Sequence, residues 1–154
     1  MNLCDLLPRD GIIASLQATS KKHALQELAT LAAERTNLDA REIFNTLLQR
    51  ERLGSTGLGR GIAIPHVKLA GLKGIVCLFA RLEQPIEFES HDSEPVDLLF
   101  LLLAPEHASG DHLKALATIS RVVREPSILD ALRNAPDAKA LYSALTLMQP
   151  SHAA

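Results

Sequence analysis

One histidine, His66, follows the most irregular stretch of the chain and is the first candidate for chemistry. Residues 54–61 hold four glycines in eight positions, a density that a regular helix does not tolerate. Glycines let backbone N–H groups approach phosphate oxygens closely, and Pro65 stiffens the backbone directly before the histidine. Neutral imidazole is a nucleophile at pH 7. The pattern suits a histidine that a bulky anionic group can reach, although by residue habit alone a histidine after proline is more often structural than catalytic.

The glycine-rich segment does not match the nucleotide-binding motifs. A P-loop requires G-x-x-x-x-G-K-[ST], but Gly59 is followed by Arg60 and Gly61. A dinucleotide fingerprint would need a glycine at Ile64. Both motifs also follow a strand and open a helix, whereas a predicted helix precedes this segment. We therefore expect no bound nucleotide and predict no cofactor.

A metal site and a hydrolase are also poorly supported. The candidate ligands are His66, His107, Asp111 and His112, but His107 and His112 lack the i, i+4 spacing of a helical zinc pair. No cysteine or carboxylate cluster completes the set, and the chain contains no G-x-S-x-G serine motif. We expect no metal ligands.

Composition narrows the range of partners. The chain has 154 residues, of which 47% are hydrophobic, with 16 Lys and Arg against 18 Asp and Glu and a net charge of −2. This length suits one domain, predicted to span residues 1–154 with an ordered core over about 5–148. Near-neutral charge without a basic cluster argues against nucleic acid. No apolar run is long enough for membrane insertion.

The two cysteines indicate a reducing, cytoplasmic location. Cys4 and Cys77 form no CxxC pair, and residues 1–7 lack the basic start and apolar stretch of a secretory signal. Cys77 lies in the apolar run of residues 75–79. We predict that it is a small core residue rather than a nucleophile.

Two helices are predicted before the glycine-rich segment. Apolar residues at helical spacing predict a first helix over residues 20–36, capped by Thr19 or Ser20. A second helix begins after the cap residue Asp39, and its apolar side carries Ile43, Phe44, Leu47 and Leu48. The polar side of this second helix includes Arg50.

Strands are predicted in the middle of the chain, over residues 62–64, 74–82 and 96–103. The last two are nearly continuous apolar runs, which are typical of strands covered on both faces. Turn-forming residues separate them, including Pro85 and Pro95.

Helical spacing returns after the strands. A helix is predicted over residues 111–124, with one side that carries Leu113, Leu116, Ile119, Ser120 and Val123. Two shorter helices begin near Ser127 and Asp137, each after a proline, and the second ends near Met148 before a frayed tail. This order predicts an α/β fold, a single domain with a central mixed β-sheet flanked by α-helices.

The residues around His66 resemble a known signature. The chain reads RE at residues 50–51, GSTGLG at 54–59 and GIAIPH at 61–66. This string resembles the phosphorylation site of the mannitol/fructose/nitrogen-regulatory class of enzyme IIA proteins of the bacterial phosphotransferase system, and it is closest to the nitrogen-regulatory branch. The resemblance covers nearly the whole chain, because it continues through QPI at 84–86, PVDLLF at 95–100 and HL at 112–113.

The resemblance implies the mannitol-type IIA fold and roles for individual residues. His66 matches the histidine that accepts a phosphoryl group, by implication at Nε2. His112 matches a second family histidine that stabilises the phosphate. Arg50 matches a family arginine and is a candidate for contact with the phosphate or the donor. Ser55 and Thr56 are weaker candidates, which either donate hydroxyl hydrogen bonds to the phosphate or only stabilise the turn.

The resemblance also implies the partners. The donor is a histidine-phosphorylated HPr-like carrier protein, so no nucleotide is needed, and the phosphohistidine formed acts as a signal to regulated target proteins. Two alternatives remain open: a sugar-specific IIA component that serves a separate IIB protein or permease, and a binding module that acts regardless of phosphorylation. The family usually has glycine directly after the histidine. Val67 in that place restricts the backbone and is expected to narrow access for a partner.

Overall fold

A mixed β-sheet lies between two layers of helices in the computed structural model, which describes residues 2–108 and 110–147. Within those residues the strands are β1 (Ile12–Leu16), β2 (Gly57–Gly59), β3 (Ile62–Ala63), β4 (His66–Leu69), β5 (Val76–Ile86) and β6 (Val96–Pro105). The α-helices are α1 (Leu3–Leu6), α2 (Lys21–Thr36), α3 (Ala40–Arg52), α4 (Asp111–Val123), α5 (Pro126–Asn134) and α6 (Ala138–Leu147). Met148, the predicted end of the last helix, and the tail after it lie outside the described residues.

The strand order is β1-β5-β6-β3-β2, and β4 also pairs with β6. β5 and β6 are antiparallel, whereas β1 pairs parallel with β5, and both β3 and β4 pair parallel with β6. This mixture of parallel and antiparallel pairs confirms the predicted fold class. β3 and β4 lie one after the other along the same edge of β6, with Ile62 opposite Leu98 and His66 opposite Leu102.

The hydrophobic core has two halves, one on each face of the sheet. Alternate residues of β6 point to opposite faces: Leu99, Leu101 and Leu103 pack with α2 and α3, and Leu98, Phe100 and Leu102 pack with α4, α5 and α6. All six side chains are fully buried. The nearly continuous apolar run of β6 is therefore confirmed as a strand covered on both faces.

The predicted helix starts are confirmed by their capping contacts. The Ser20 hydroxyl accepts a hydrogen bond from the His23 backbone N–H at 3.1 Å, and the Asp39 carboxylate accepts one from Glu42 N–H at 3.3 Å. Pro126 lies in the first turn of α5. Cys77 is fully buried, and burial raises the pKa of its thiol to about 12, so it is the predicted core residue.

Some elements differ from the sequence expectations. β1 and β4 are not predicted by periodicity, because each has four or five residues and β4 begins directly after a proline. The predicted side of α4 is partly wrong: Ile119 and Val123 are buried, but Leu113 is 63% exposed. At 100° per residue, Leu113 lies about 120° around the helix from Ile119, so the two side chains do not share a face.

Gly57 in β2 provides a test of the loop packing. A Cβ at this position would lie 2.3 Å from Ser90 Oγ and 3.1 Å from Ser90 Cα, so one of the two chain segments must move. We expect Gly57→Ala to lower the free energy of unfolding by about 1–3 kcal/mol in urea titration. Gly74→Ala is the matched control, since nothing lies within 4 Å of its added Cβ. Equal stability of the two variants would contradict this packing.

Candidate active site

The backbone around His66 fixes the orientation of its imidazole ring. Leu102 N–H donates to the Pro65 carbonyl at 2.9 Å, which anchors the proline to β6. Nδ1 of His66 lies 2.6 Å from the Ile64 carbonyl oxygen. A carbonyl oxygen only accepts hydrogen bonds, so Nδ1 carries the proton. Nε2 is therefore left with a free lone pair, the form that a nucleophile requires.

Nε2 belongs to a side chain that lines an open cleft of about 590 Å³ between α3, β4 and the first turn of α4. β4 contributes His66, Val67 and Lys68, and α4 contributes His112. α3 and its C-cap residue Leu53 contribute four residues at i, i+3, i+4 and i+7, so they form one stripe along the helix: Thr46, Gln49, Arg50 and Leu53. The structure thus brings three of the five predicted site residues, His66, His112 and Arg50, to one cleft.

His112 lies next to His66, with ring centroids 5.7 Å apart and ring planes at 42°. Nε2 of His112 is buried and has no hydrogen-bond partner among the described residues. Burial lowers the pKa of His112 below its ordinary value of 6.5, and the charges of His66 and Lys68 lower this pKa further. With the ring proton on Nε2, His112 would donate a hydrogen bond to an anion in the cleft, and the anion would supply the missing partner.

The coupling between the two histidines can be measured by NMR titration. We expect the pKa of His112 to lie below 6.5 in the wild type and to rise in His66→Ala, because the charge on His66 is then absent. The pKa of His112 in this variant should remain below 6.5, because burial is the larger cause of the lowered pKa and persists. The folded protein disfavours protonated His112, so stability is lost as the pH falls from 6.5 through the lowered pKa. An unchanged His112 pKa in His66→Ala would contradict the coupling.

Arg50 lines the cleft from the end of α3. Its Nη1 donates to the Gly54 carbonyl at 2.9 Å, so the guanidinium also holds the first glycine of the loop that leads to His66. A guanidinium has five N–H donors, and the contact with Gly54 uses one of them. Arg50 is therefore both anchored and able to offer further donors to an anion in the cleft.

Ser55 and Thr56 face away from the cleft in the described structure. Ser55 Oγ donates to the Phe88 carbonyl at 2.7 Å and accepts from Gly57 N–H at 3.0 Å. Thr56 Oγ1 donates to Glu51 Oε2 at 2.5 Å. Neither residue lines the cleft around His66. Both hydroxyls therefore contact the turn and its neighbouring residues. This is the turn-stabilising role, one of the two considered for them.

Four cleft residues were missed by the sequence analysis: Lys68, Thr46, Gln49 and Leu53. Periodicity offers a signal for each. Lys68 lies two residues after His66, so the two share one face once residues 66–69 are recognised as a strand. Thr46 lies four residues before Arg50 and Leu53 three residues after it, so both share its helix face, and Gln49 lies three residues after Thr46.

His107 and Asp111, which were considered as metal ligands, lie outside the cleft, whereas Val67 both lines the cleft and packs into the core. His107 and Asp111 line a separate cavity, and no group of three His, Cys, Asp or Glu side chains within the described residues is placed to hold a metal ion. Val67 lines the cleft but is 7% exposed and packs into the core under α2 and α3. Its effect on partner access stays a prediction.

Comparison with known families identifies the class of protein. The model of the family described as "Phosphoenolpyruvate-dependent sugar phosphotransferase system, EIIA 2" matches residues 5–147. The chain belongs to this family. Membership in the EIIA 2 family confirms the resemblance drawn from the residues around His66 and makes the chain a component of the phosphotransferase system.

Individual relatives cover almost the whole chain. The "Nitrogen regulatory protein" of Bradyrhizobium diazoefficiens is 55% identical over 147 residues, 96% of each chain. The protein of that name from Escherichia coli K12 is 38% identical over 147 residues, 95% of this chain and 90% of its own. These two relatives carry the name of the branch that the motif resembles most.

Solved structures share the fold. The crystal structure of nitrogen regulatory protein IIA-Ntr from Neisseria meningitidis has a TM-score of 0.87 at 37% identity and covers 92% of this chain and 97% of its own. Mannitol IIA of E. coli has a TM-score of 0.75 at 17% identity, covers 90% of this chain and 98% of its own, and supports the fold alone. Among the described residues no helix is both long and apolar enough to cross a bilayer.

Proposed function

We propose that this protein accepts a phosphoryl group on Nε2 of His66 from a histidine-phosphorylated, HPr-like carrier and acts as a nitrogen-regulatory IIA protein. The observation that carries the proposal is the 2.6 Å contact from Nδ1 to the Ile64 carbonyl, which leaves Nε2 as the nucleophile at the cleft. The regulatory assignment is supported by the relatives named nitrogen regulatory protein.

The transfer step needs no group beyond the two proteins. The Nε2 lone pair forms a bond to phosphorus as the N–P bond of the donor phosphohistidine breaks, and that electron pair returns to the donor imidazole. The equatorial oxygens carry negative charge throughout. In this proposal Arg50 and Lys68 neutralise that charge, and His112 hydrogen-bonds one oxygen through its unpaired Nε2.

The surface around the cleft suits a protein donor. Leu53 lines the cleft and is 86% exposed, and Leu113, directly after His112, is 63% exposed. Exposed leucines beside a charged site are typical of a protein contact rather than of a small-molecule pocket. In this proposal the donor therefore contacts the exposed leucines Leu53 and Leu113. The proposal treats residues 1–154 as one domain. Cytoplasmic location stays a prediction from the cysteines.

The direct test is incubation with a phosphorylated HPr-like carrier. We expect stoichiometric labelling with phosphate that is labile in acid and stable in base, the behaviour of a phosphoramidate, and a site mapped to His66 by mass spectrometry. Unphosphorylated carrier is the control for binding without transfer. Label that survives acid, or that maps to another residue, contradicts the proposal.

A second assay separates regulation from its alternatives. Partners captured by the wild-type protein are compared with those captured by phosphorylated protein and by His66→Asp, which places an anion at the site. State-dependent regulation predicts that the captured sets differ. Identical sets would favour the binding module that acts regardless of phosphorylation, and onward transfer of the label to a IIB protein would favour the sugar-specific component.

A further inference from the structure

We propose that Glu51 is a positioning residue that sets the tautomer and orientation of His66 through Thr56 and Ile64. The inference rests on the proposed function of His66 but concerns a different residue, which lies beneath the loop rather than in the cleft. A carboxylate that is buried normally needs partners to offset the loss of water, and the partners of Glu51 lead by consecutive hydrogen bonds to the imidazole.

The Glu51 carboxylate is held from the core side of the loop. Its side chain is 3% exposed, and Lys21 Nζ lies 3.0 Å from Oε1. Lys21 is in the first turn of α2, and its ammonium lies 4.8 Å from the Phe88 ring centroid. The pair therefore fixes the end of α3 to the start of α2, and it gives the carboxylate a charge-assisted contact on one side.

Thr56 donates hydrogen bonds to both carboxylate oxygens. Its backbone N–H donates to Oε1 at 3.1 Å, and its hydroxyl donates to Oε2 at 2.5 Å. Two donors from one residue to two oxygens fix the peptide plane of Thr56 as well as its position. Only a carboxylate accepts at both oxygens, since glutamine presents one oxygen and one NH₂ group.

The Thr56 peptide in turn holds the segment that carries His66. Ile64 N–H donates to the Thr56 carbonyl at 3.1 Å, and the Ile64 carbonyl accepts from His66 Nδ1 at 2.6 Å. The N–H and C=O groups of one residue belong to different peptide groups, so this series couples the positions of Thr56, Ile64 and His66 mechanically. The position of the Ile64 carbonyl decides which ring nitrogen carries the proton, so Glu51 governs the availability of Nε2.

Arg50 and Glu51 hold two different residues of the loop. Arg50 contacts the Gly54 carbonyl at 2.9 Å, and Glu51 contacts Thr56 two residues later. If Arg50 exchanges Gly54 for a phosphoryl oxygen, the Glu51 contacts remain and the loop keeps its place. Arg50 thus lines the cleft, and the adjacent Glu51 maintains the orientation of the His66 ring.

The test measures the tautomer of His66 directly by long-range ¹H–¹⁵N NMR at neutral pH. In the wild type we expect a protonated Nδ1 and an unprotonated Nε2. Thr56→Val removes the hydroxyl without a change of shape, and Glu51→Gln removes one acceptor. Both variants should show a mixture of the two tautomers and phosphorylation by the carrier that is about tenfold slower, the effect of weakening one charged hydrogen bond. Thr56→Ser keeps the hydroxyl and should restore the wild-type tautomer.

The control for general destabilisation is Thr36→Val. Thr36 hydrogen-bonds the Ala32 carbonyl and Leu38 N–H at the end of α2, so its loss costs stability without touching the series to His66. It should leave the tautomer unchanged at matched stability. A single Nδ1–H tautomer in both Thr56→Val and Glu51→Gln would overturn the proposal. The NMR readout needs no carrier, so failure of phosphoryl transfer in the wild type would refute the proposed function and leave this test intact.

Discussion

Replacement of His66 by alanine is expected to abolish phosphorylation by the carrier. In the proposed transfer Nε2 of His66 supplies the electron pair for the new N–P bond, and alanine has no atom that can replace it. The loss should exceed about 10⁴-fold and reach background, because the proposal assigns the other histidine of the cleft, His112, to hydrogen bonding of the phosphoryl group rather than to nucleophilic attack. The measurement is incorporation of labelled phosphate over time, with the amount of folded protein checked by circular dichroism.

His107→Ala is the matched control for this loss. His107 is also a histidine near α4, but it lines a separate cavity with Lys73 and Asp111. It should accept phosphate at the wild-type rate. Retained labelling in His66→Ala would show that another residue accepts the phosphoryl group. Loss of labelling in His107→Ala would show that His107 is required. Either result would contradict the proposed site.

Much of the fold is predictable from the sequence because its strongest elements bury continuous or periodic apolar surface. β6 reads as a strand covered on both faces, and Ile43 and Leu47 mark the buried side of α3. Short elements carry too little periodicity: β4 has four residues and pairs with β6, which lies about 30 residues later in the chain. Leu113 misleads for a different reason, since its apolar side chain lies beside the cleft rather than over the core.

The site was predictable in part, because motif residues are local but the cleft is not. The loop and His66 follow one another in sequence, so their association needs no long-range contact. The approach of His112 depends on how β6 leads into α4, and the burial of Glu51 depends on Lys21 from a different helix. No spacing in the sequence reveals the approach of His112 to His66 or the pairing of Glu51 with Lys21. Lys68 required only the alternation of β4.

Replacement of His112 by alanine is expected to slow phosphoryl transfer while the fold remains intact. Nε2 of His112 is buried with no hydrogen-bond partner among the described residues, and in the proposed transfer the phosphoryl oxygens carry their charge in the cleft beside His66. Loss of one such donor typically lowers a catalytic rate by about 10²–10³-fold. The rate at saturating carrier should fall by this amount. The carrier concentration that gives half the maximal rate should change little, because the proposed contact is with the phosphoryl group rather than with the carrier.

His112→Gln separates hydrogen bonding from simple cavity formation. The glutamine amide nitrogen reaches about as far from the backbone as Nε2 of histidine and remains a donor, so this variant should recover part of the rate that alanine loses. Recovery would show that the donor, rather than the ring as a packing element, is what the transfer step needs. If His112→Ala instead raises only the half-saturating concentration and leaves the maximal rate unchanged, His112 contributes to carrier docking, and phosphate stabilisation must come from Arg50 and Lys68.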